Sequence, residues 1–281
     1  MTLKTYFTPE SQGEALRLKA EYGRDLWLMA GGTIFMPLIN DGYIFPEMVM
    51  GLRRAGMDAV QVNGTAVSST AVIGAGATLT QMTELAAYPM LQQAAQAVGG
   101  WAVRNMGTVG GNLFARAPYG DVGVALLALN ATLKVASSSA ERTVSLADFY
   151  GNDRQLAPDE LITEIHVPKT AGQTYYHKHS PRQANSPTIV AVAVNLKVDN
   201  GRVSSAAIAL GGAAPIPVRA EAAESILAGA ALNEESIGAA AEAAADASNP
   251  ITDAVASEWY RRKMVAVQLK RALESLAAGG N

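Results

Sequence analysis

Two glycine-rich runs hold the residues best placed to do chemistry: Met29-Ala30-Gly31-Gly32-Thr33-Ile34 and Thr108-Val109-Gly110-Gly111-Asn112. Glycine tolerates positive φ and lets another group approach the main chain closely. Successive N–H groups in such a turn can converge on an anion, above all where a helix begins. Both runs precede segments that read as helical, so each suits a phosphate, and Thr33, Thr108 and Asn112 can add side-chain hydrogen bonds. Neither run carries GxxxxGK[ST], so no lysine follows to neutralise a triphosphate. GAGATL at 74–79 starts like a dinucleotide fingerprint but lacks the third glycine, and reads as a tight strand end. Each glycine pair alone is compatible with an ordinary strand-to-helix turn. Together they fit one diphosphate held by main-chain amides from two sides, as in a dinucleotide cofactor.

The absent residue types narrow the chemistry further. The chain has no cysteine, which removes disulfides, thiol nucleophiles, and zinc or iron–sulfur clusters held by its own thiolates. The three histidines, His166, His177 and His179, all fall after residue 165. With 281 residues, 49% of them hydrophobic and 17% charged, the sequence is that of a globular chain with a sizeable core. The basic clusters Arg53-Arg54 and Arg261-Arg262-Lys263 read as solvated faces, because no aromatic or basic stripe accompanies them, and no nucleic-acid partner is expected. MTLKTYFTPES has no signal-peptide pattern and no stretch reaches about 18 uninterrupted apolar residues, so the expectation is a cytoplasmic protein without a membrane span. Trp27, Trp101 and Trp259 are expected in cores, with Trp101 also placed to support a cofactor cleft.

The elements that must position these residues alternate in type. SQGEALRLKAEY reads as an amphipathic helix, DLWLMA as a strand, TIFMPLIND as a helix start and PEMVMGL as a second strand, a pattern that favours parallel strands. From about residue 57, Asn63-Gly64 signals a hairpin, AVIGAGA a buried strand, and TLTQMTEL a helix capped by Thr78 or Thr80. PMLQQAAQAVGG is a helix with Pro89 in its first turn. VGVALLALN reads as a further helix, and ATLKVASS and DELITEIHVP as strands. Pro168 to Gly172 reads as a domain boundary. Beyond it, two strand runs flank Asp199-Asn200-Gly201, and three alanine-rich helices follow, giving helices packed on an antiparallel sheet.

The whole chain resembles the FAD-binding medium subunit of molybdenum hydroxylases, the xanthine dehydrogenase and carbon monoxide dehydrogenase superfamily. AGGT at 30–33 is similar to the family's first FAD loop and RNMGTVGGNL at 104–113 to its second. P-x-x-D at 118–121 sits at the family's spacing, and TDAVASEWYRRKM resembles its C-terminal signature, where an aspartate precedes a Tyr-Arg pair. The resemblance implies an α+β fold: a two-subdomain FAD-binding fold of the PCMH type (residues 1–170, divided at about 56/57), then a C-terminal domain of antiparallel sheet packed with helices (residues 171–281).

The resemblance also implies a noncovalent FAD between the first two parts. Met29 to Ile34 and Thr108 to Asn112 would hold the pyrophosphate and ribityl region, and Asp121 a cofactor hydroxyl or ring N–H. The main chain of Ile162 would face the isoalloxazine. Lys178 would supply positive charge at its pyrimidine edge, where it stabilises anionic reduced flavin, with His177 in the neighbouring column as an alternative. Molybdopterin and [2Fe–2S] clusters are implied only on a large and a small partner chain, in a heterotrimer or a dimer of heterotrimers, with no catalytic residue on this chain. The alternative is a stand-alone FAD-dependent oxidase or reductase of related fold, using Tyr175, Tyr176, His177 or His179 as acid or base. The sequence departs from the family at Ile34, Phe114 and Arg116, and PRQANSPTI lacks the usual aspartate. Arg116 is open to a phosphate, Asp121 or solvent.

Overall fold

The computed structural model describes residues 3–64, 69–170 and 172–279. Three sheets organise it. The first holds β1 (Thr5–Phe7), β2 (Leu26–Met29) and β3 (Met48–Gly51) in the order β1-β3-β2, all parallel. Parallel neighbours cannot be joined by a tight hairpin, and helices α1 (Gln12–Tyr22) and α2 (Phe35–Asn40) lie in the connections. Ser11 caps α1 by accepting the Glu14 N–H at 3.2 Å. Ala15, Leu16 and Leu18 of α1 are buried in one cluster with Leu26 and Met50.

The second sheet is antiparallel, in the order β4-β5-β8-β6-β7: β4 (Val60–Gly64), β5 (Ser69–Gly74), β6 (Thr132–Ala136), β7 (Glu141–Ser145) and β8 (Leu161–Pro168). Asn63 and Gly64 pair with Thr70 and Ser69, so they end a strand rather than form its turn. Residues 65–68, between the two strands, lie outside the described residues. Helices α3 (Leu79–Thr83), α4 (Pro89–Gln96), α5 (Trp101–Met106), α6 (Val109–Leu113), α7 (Asp121–Ala128) and α8 (Leu146–Gly151) accompany this sheet. Thr78, not Thr80, caps α3, in a reciprocal pair with Gln81.

The third sheet runs β12-β11-β10-β9, formed by β9 (Gln173–His179), β10 (Val190–Asp199), β11 (Arg202–Gly211) and β12 (Val218–Arg219). Asn200 and Gly201, at φ 52° and 74°, make the two-residue turn of the β10–β11 hairpin, the conformation for which Asn-Gly is suited. Helices α9 (Glu221–Leu227), α10 (Glu234–Asp246) and α11 (Glu258–Ala277) complete the C-terminal part. Strand β10 shows how the sheet serves two cores. Val190, Val192, Val194 and Leu196 pack with the three C-terminal helices, while Ala191 and Ala193 join the cluster that contains α7. Side chains alternate faces along a strand, so the small residues admit α7 on one side and the large ones fill the space beneath the helices on the other.

All eight residues of α7 are buried. It packs on α4 and α6 and on β10 and β11, which makes it the hub between the FAD-domain-like part and the C-terminal sheet. An apolar sequence on every side of a helix fits such a position. Two expectations fail at the surface. The tryptophans are not core residues: Trp101 is 72% exposed, Trp259 68% and Trp27 42%. Trp259 instead lies under the Lys263 ammonium at 5.3 Å, and Trp27 beside Phe35. Within the basic cluster, Arg261 is fully buried rather than solvated. Among the described residues, no helix is long and apolar enough to cross a membrane.

Candidate cofactor-binding site

The two glycine runs meet. A Cβ on Gly31 would collide with the Met106 carbonyl oxygen, and one on Gly111 would stand 3.9 Å from the Ala30 Cβ. A Cβ on Gly107 would stand 3.6 Å from Thr33 Oγ1. Only glycine at 31 permits this contact between main chains. Gly32 adds a φ of 71°, which turns the chain from β2 into α2.

The runs differ in what their N–H groups can do. Among the described residues, none accepts a hydrogen bond from the N–H groups of Gly31, Gly32, Thr33, Ile34 or Phe35. Five successive free donors leading into a helix are a ready cradle for an anion. The second run is itself the first turn of α6, and its main-chain donors after Thr108 are engaged. Val109 N–H donates to Ala77 O at 2.9 Å, Gly110 N–H to Ala75 O at 2.9 Å, and Gly111 N–H to Thr108 Oγ1 at 3.1 Å. The first run thus offers five free main-chain N–H groups, and the second offers that of Thr108 with the Thr108 hydroxyl and the Asn112 amide. The segment 74–78 acts from below: Ala75 and Ala77 bind the second run, and a Cβ on Gly110 would lie 2.8 Å from Ala75 O. Thr108 keeps its hydroxyl proton to donate. Asn112 turns Oδ1 to the Gly123 N–H at 3.2 Å, tying α6 to α7.

Asp121 opens α7 and is 4% exposed. Three donors from the C-terminal part converge on its carboxylate: Thr188 Oγ1 at 2.7 Å and Tyr176 Oη at 3.2 Å on Oδ1, and Lys178 Nζ at 2.9 Å on Oδ2. Lys178 also donates to Ala97 O at 3.0 Å. Burial, reinforced by the adjacent Asp121 charge, pushes the Tyr176 phenol well above its usual range, so it stays a donor at neutral pH. The period of a strand places Lys178 relative to His177. Tyr176 packs in the α7 cluster and Tyr175 in the helix cluster, so Lys178 shares the Asp121 face of β9 and His177 the opposite one. There His179 reaches Tyr260 Oη at 3.3 Å. Burial lowers the pKa of both histidines, with Arg271 adding to the effect and His179 acting on His177.

Of the roles open to it, Arg116 takes the one toward solvent. It pairs at 3.6 Å with Asp153 on the surface. Ile162 buries its side chain in the α7 cluster, and its main chain lies just past Glu164, where the pairing of β8 with β5 ends. The C-terminal signature reaches the same site from behind. Arg261 forks onto Asp253 at 2.8 and 2.8 Å, and its Nη1 donates to Thr188 O at 3.0 Å and Ile189 O at 2.5 Å. Burial raises the Asp253 pKa, but Arg261 and the N–H groups of Ala256 and Val255 outweigh that and hold it below the usual range. Sequence reasoning missed Thr188, which lies 67 residues from its partner with no motif around it. Tyr176 was recoverable, since it stands two residues before Lys178 on one strand face.

A parallel three-stranded part and an antiparallel five-stranded part that meet at glycine turns, with a helix-backed sheet sending Lys178 to Asp121, suit a protein that holds an anionic cofactor. Comparison with known proteins makes the class specific. The family model of the FAD binding domain in molybdopterin dehydrogenase matches residues 2–170, and that of the CO dehydrogenase flavoprotein C-terminal domain matches residues 175–276. The glyceraldehyde dehydrogenase medium chain of Sulfolobus acidocaldarius is 29% identical over 276 residues, covering 97% of this chain and 98% of that one. The carbon monoxide dehydrogenase medium chain of Hydrogenophaga pseudoflava is 30% identical, covering 96% of each. The solved carbon monoxide dehydrogenase of that organism, lacking the Mo-pyranopterin moiety, superposes with a TM-score of 0.91 at 30% identity, over 100% of this chain and 99% of that one. Quinoline 2-oxidoreductase from Pseudomonas putida 86 gives 0.88 at 25% identity, over 99% and 98%. The chain belongs to the FAD-binding medium subunits of the molybdenum hydroxylases, and FAD is its cofactor. The residues fit that group: the free N–H run can receive an anion such as a diphosphate, and Gly111 keeps the space beside Ala30 clear.

Proposed function

We propose that this chain is the electron-transfer subunit of a heteromeric molybdenum hydroxylase, taking electrons from [2Fe–2S] clusters on a small partner chain and delivering them to an external acceptor. When bound, FAD supplies the one- and two-electron redox chemistry. The run of free N–H groups from Gly31 to Phe35 carries the reading. These donors would hold the diphosphate without a lysine, helped by the start of α2. Thr108 would add its hydroxyl, and Asn112 its amide N–H2. Lys178, fixed by Asp121 and Ala97 O, would present positive charge to the flavin's pyrimidine edge, and the main chain of Ile162 would meet the ring. The absence of cysteine agrees with clusters borne by another chain, and a large chain would carry the molybdopterin and oxidise the substrate.

The stand-alone oxidase finds less support. Tyr176 is bound to Asp121, and His177 and His179 lie on the far face of β9. Gly111→Val tests the site. Its side chain would enter the space between Thr108 Oγ1, 2.9 Å from the Cβ position, and Ala30. Loss of the flavin absorbance with circular dichroism unchanged is the expected result. Full flavin content in the variant would overturn the placement.

A further inference from the structure

Thr188 makes the shortest of the three contacts to Asp121, at 2.7 Å, and is 3% exposed. Its peptide is held on both sides. The N–H donates to Pro118 O at 3.0 Å, and the carbonyl accepts from Arg261, itself locked onto Asp253. A side chain so fixed points its hydroxyl at Oδ1 and leaves Oδ2 to Lys178.

We propose that Thr188 is a positioning residue for the Asp121–Lys178 pair, and that its hydroxyl sets how much of the ammonium's positive field remains to act on the bound cofactor. This rests on the FAD reading above. Without the hydroxyl, Oδ1 keeps only Tyr176, at 3.2 Å, and the carboxylate is free to turn both oxygens toward Lys178. Charge–charge interactions are strong in a buried site, so a closer carboxylate cancels more of the lysine's field. Reduction adds negative charge to the flavin, and a weaker positive field disfavours it.

The test compares Thr188→Val and Thr188→Ser in the FAD-bearing complex as purified, by spectroelectrochemical titration of the flavin. Thr188→Val should move the reduced-to-oxidised equilibrium about tenfold toward oxidised, a shift of about 30 mV to lower potential for a two-electron couple. Thr188→Ser should keep the wild-type potential. Loss of FAD in the valine variant alone, with the serine variant normal, also supports the role of the hydroxyl. An unchanged potential in Thr188→Val, or an equal shift or loss in both variants, overturns the inference while leaving the FAD reading intact. A wild-type complex without FAD would instead overturn the proposed function, and the inference with it.

Discussion

Lys178 on the edge strand of the C-terminal sheet and Asp121 at the start of α7 form an ion pair at 2.9 Å, with side chains only 9% and 5% exposed. The two residues stand 57 positions apart, and their pairing locks the C-terminal part against the helix that backs the second glycine run. A buried pair stabilises little relative to an apolar pair, but breaking it strands a charge.

Lys178→Met should therefore cost about 3–5 kcal/mol. Asp121→Asn should also destabilise, and the double variant should lose less than the sum of the two. Urea unfolding of the four proteins gives the coupling directly. Simple additivity would mean that the pair does not form in solution.

The same logic applies to Arg261 and Asp253, with a pH signature. The folded Asp253 pKa lies below its ordinary value of 3.8. Its contribution is thus fully present above that pH and is lost as pH falls through the folded value. Arg261→Met should cost about 3–5 kcal/mol at neutral pH and flatten the loss of stability with acid. Urea midpoints measured from about pH 5 downward check the slope. An equal acid slope in variant and wild type would rule out the ion pair as its source.

Much of this was legible in the sequence because it is local. Capping residues, the Asn200-Gly201 turn, the β10 run and the two glycine runs each announce themselves within a few residues. Strands β1 and β7 did not: TYF is three residues long, and ERTVS is largely exposed, with no buried alternation to betray it. The site was half legible. Glycine spacing located both runs, yet whether an N–H is free depends on what packs beneath it. The carbonyls of Ala75 and Ala77 that engage the second run come from a segment more than thirty residues upstream. Arg261 illustrates the same limit. RRK in a helix looks like a solvated face until Asp253, eight residues before Arg261, and two carbonyls just ahead of β10 close around one of its members.

Contact between the two glycine runs can be tested without a ligand. Gly31→Ala would drive a Cβ into Met106 O and should cost about 1–3 kcal/mol. Gly238→Ala, inside α10 with nothing within 4 Å of the added carbon, should instead stabilise by about 0.5–1 kcal/mol. Thermal unfolding distinguishes the two. A neutral Gly31→Ala would mean that the runs are not in contact.

Amide hydrogen exchange with and without FAD probes the central claim most directly. The N–H groups from Gly31 to Phe35 should exchange freely in the FAD-free protein and become protected when FAD binds, while those of Val109 and Gly110, bonded to Ala77 and Ala75, should be slow in both states. Protection that appears at Val109 and Gly110 instead, or nowhere in the first run, would contradict it.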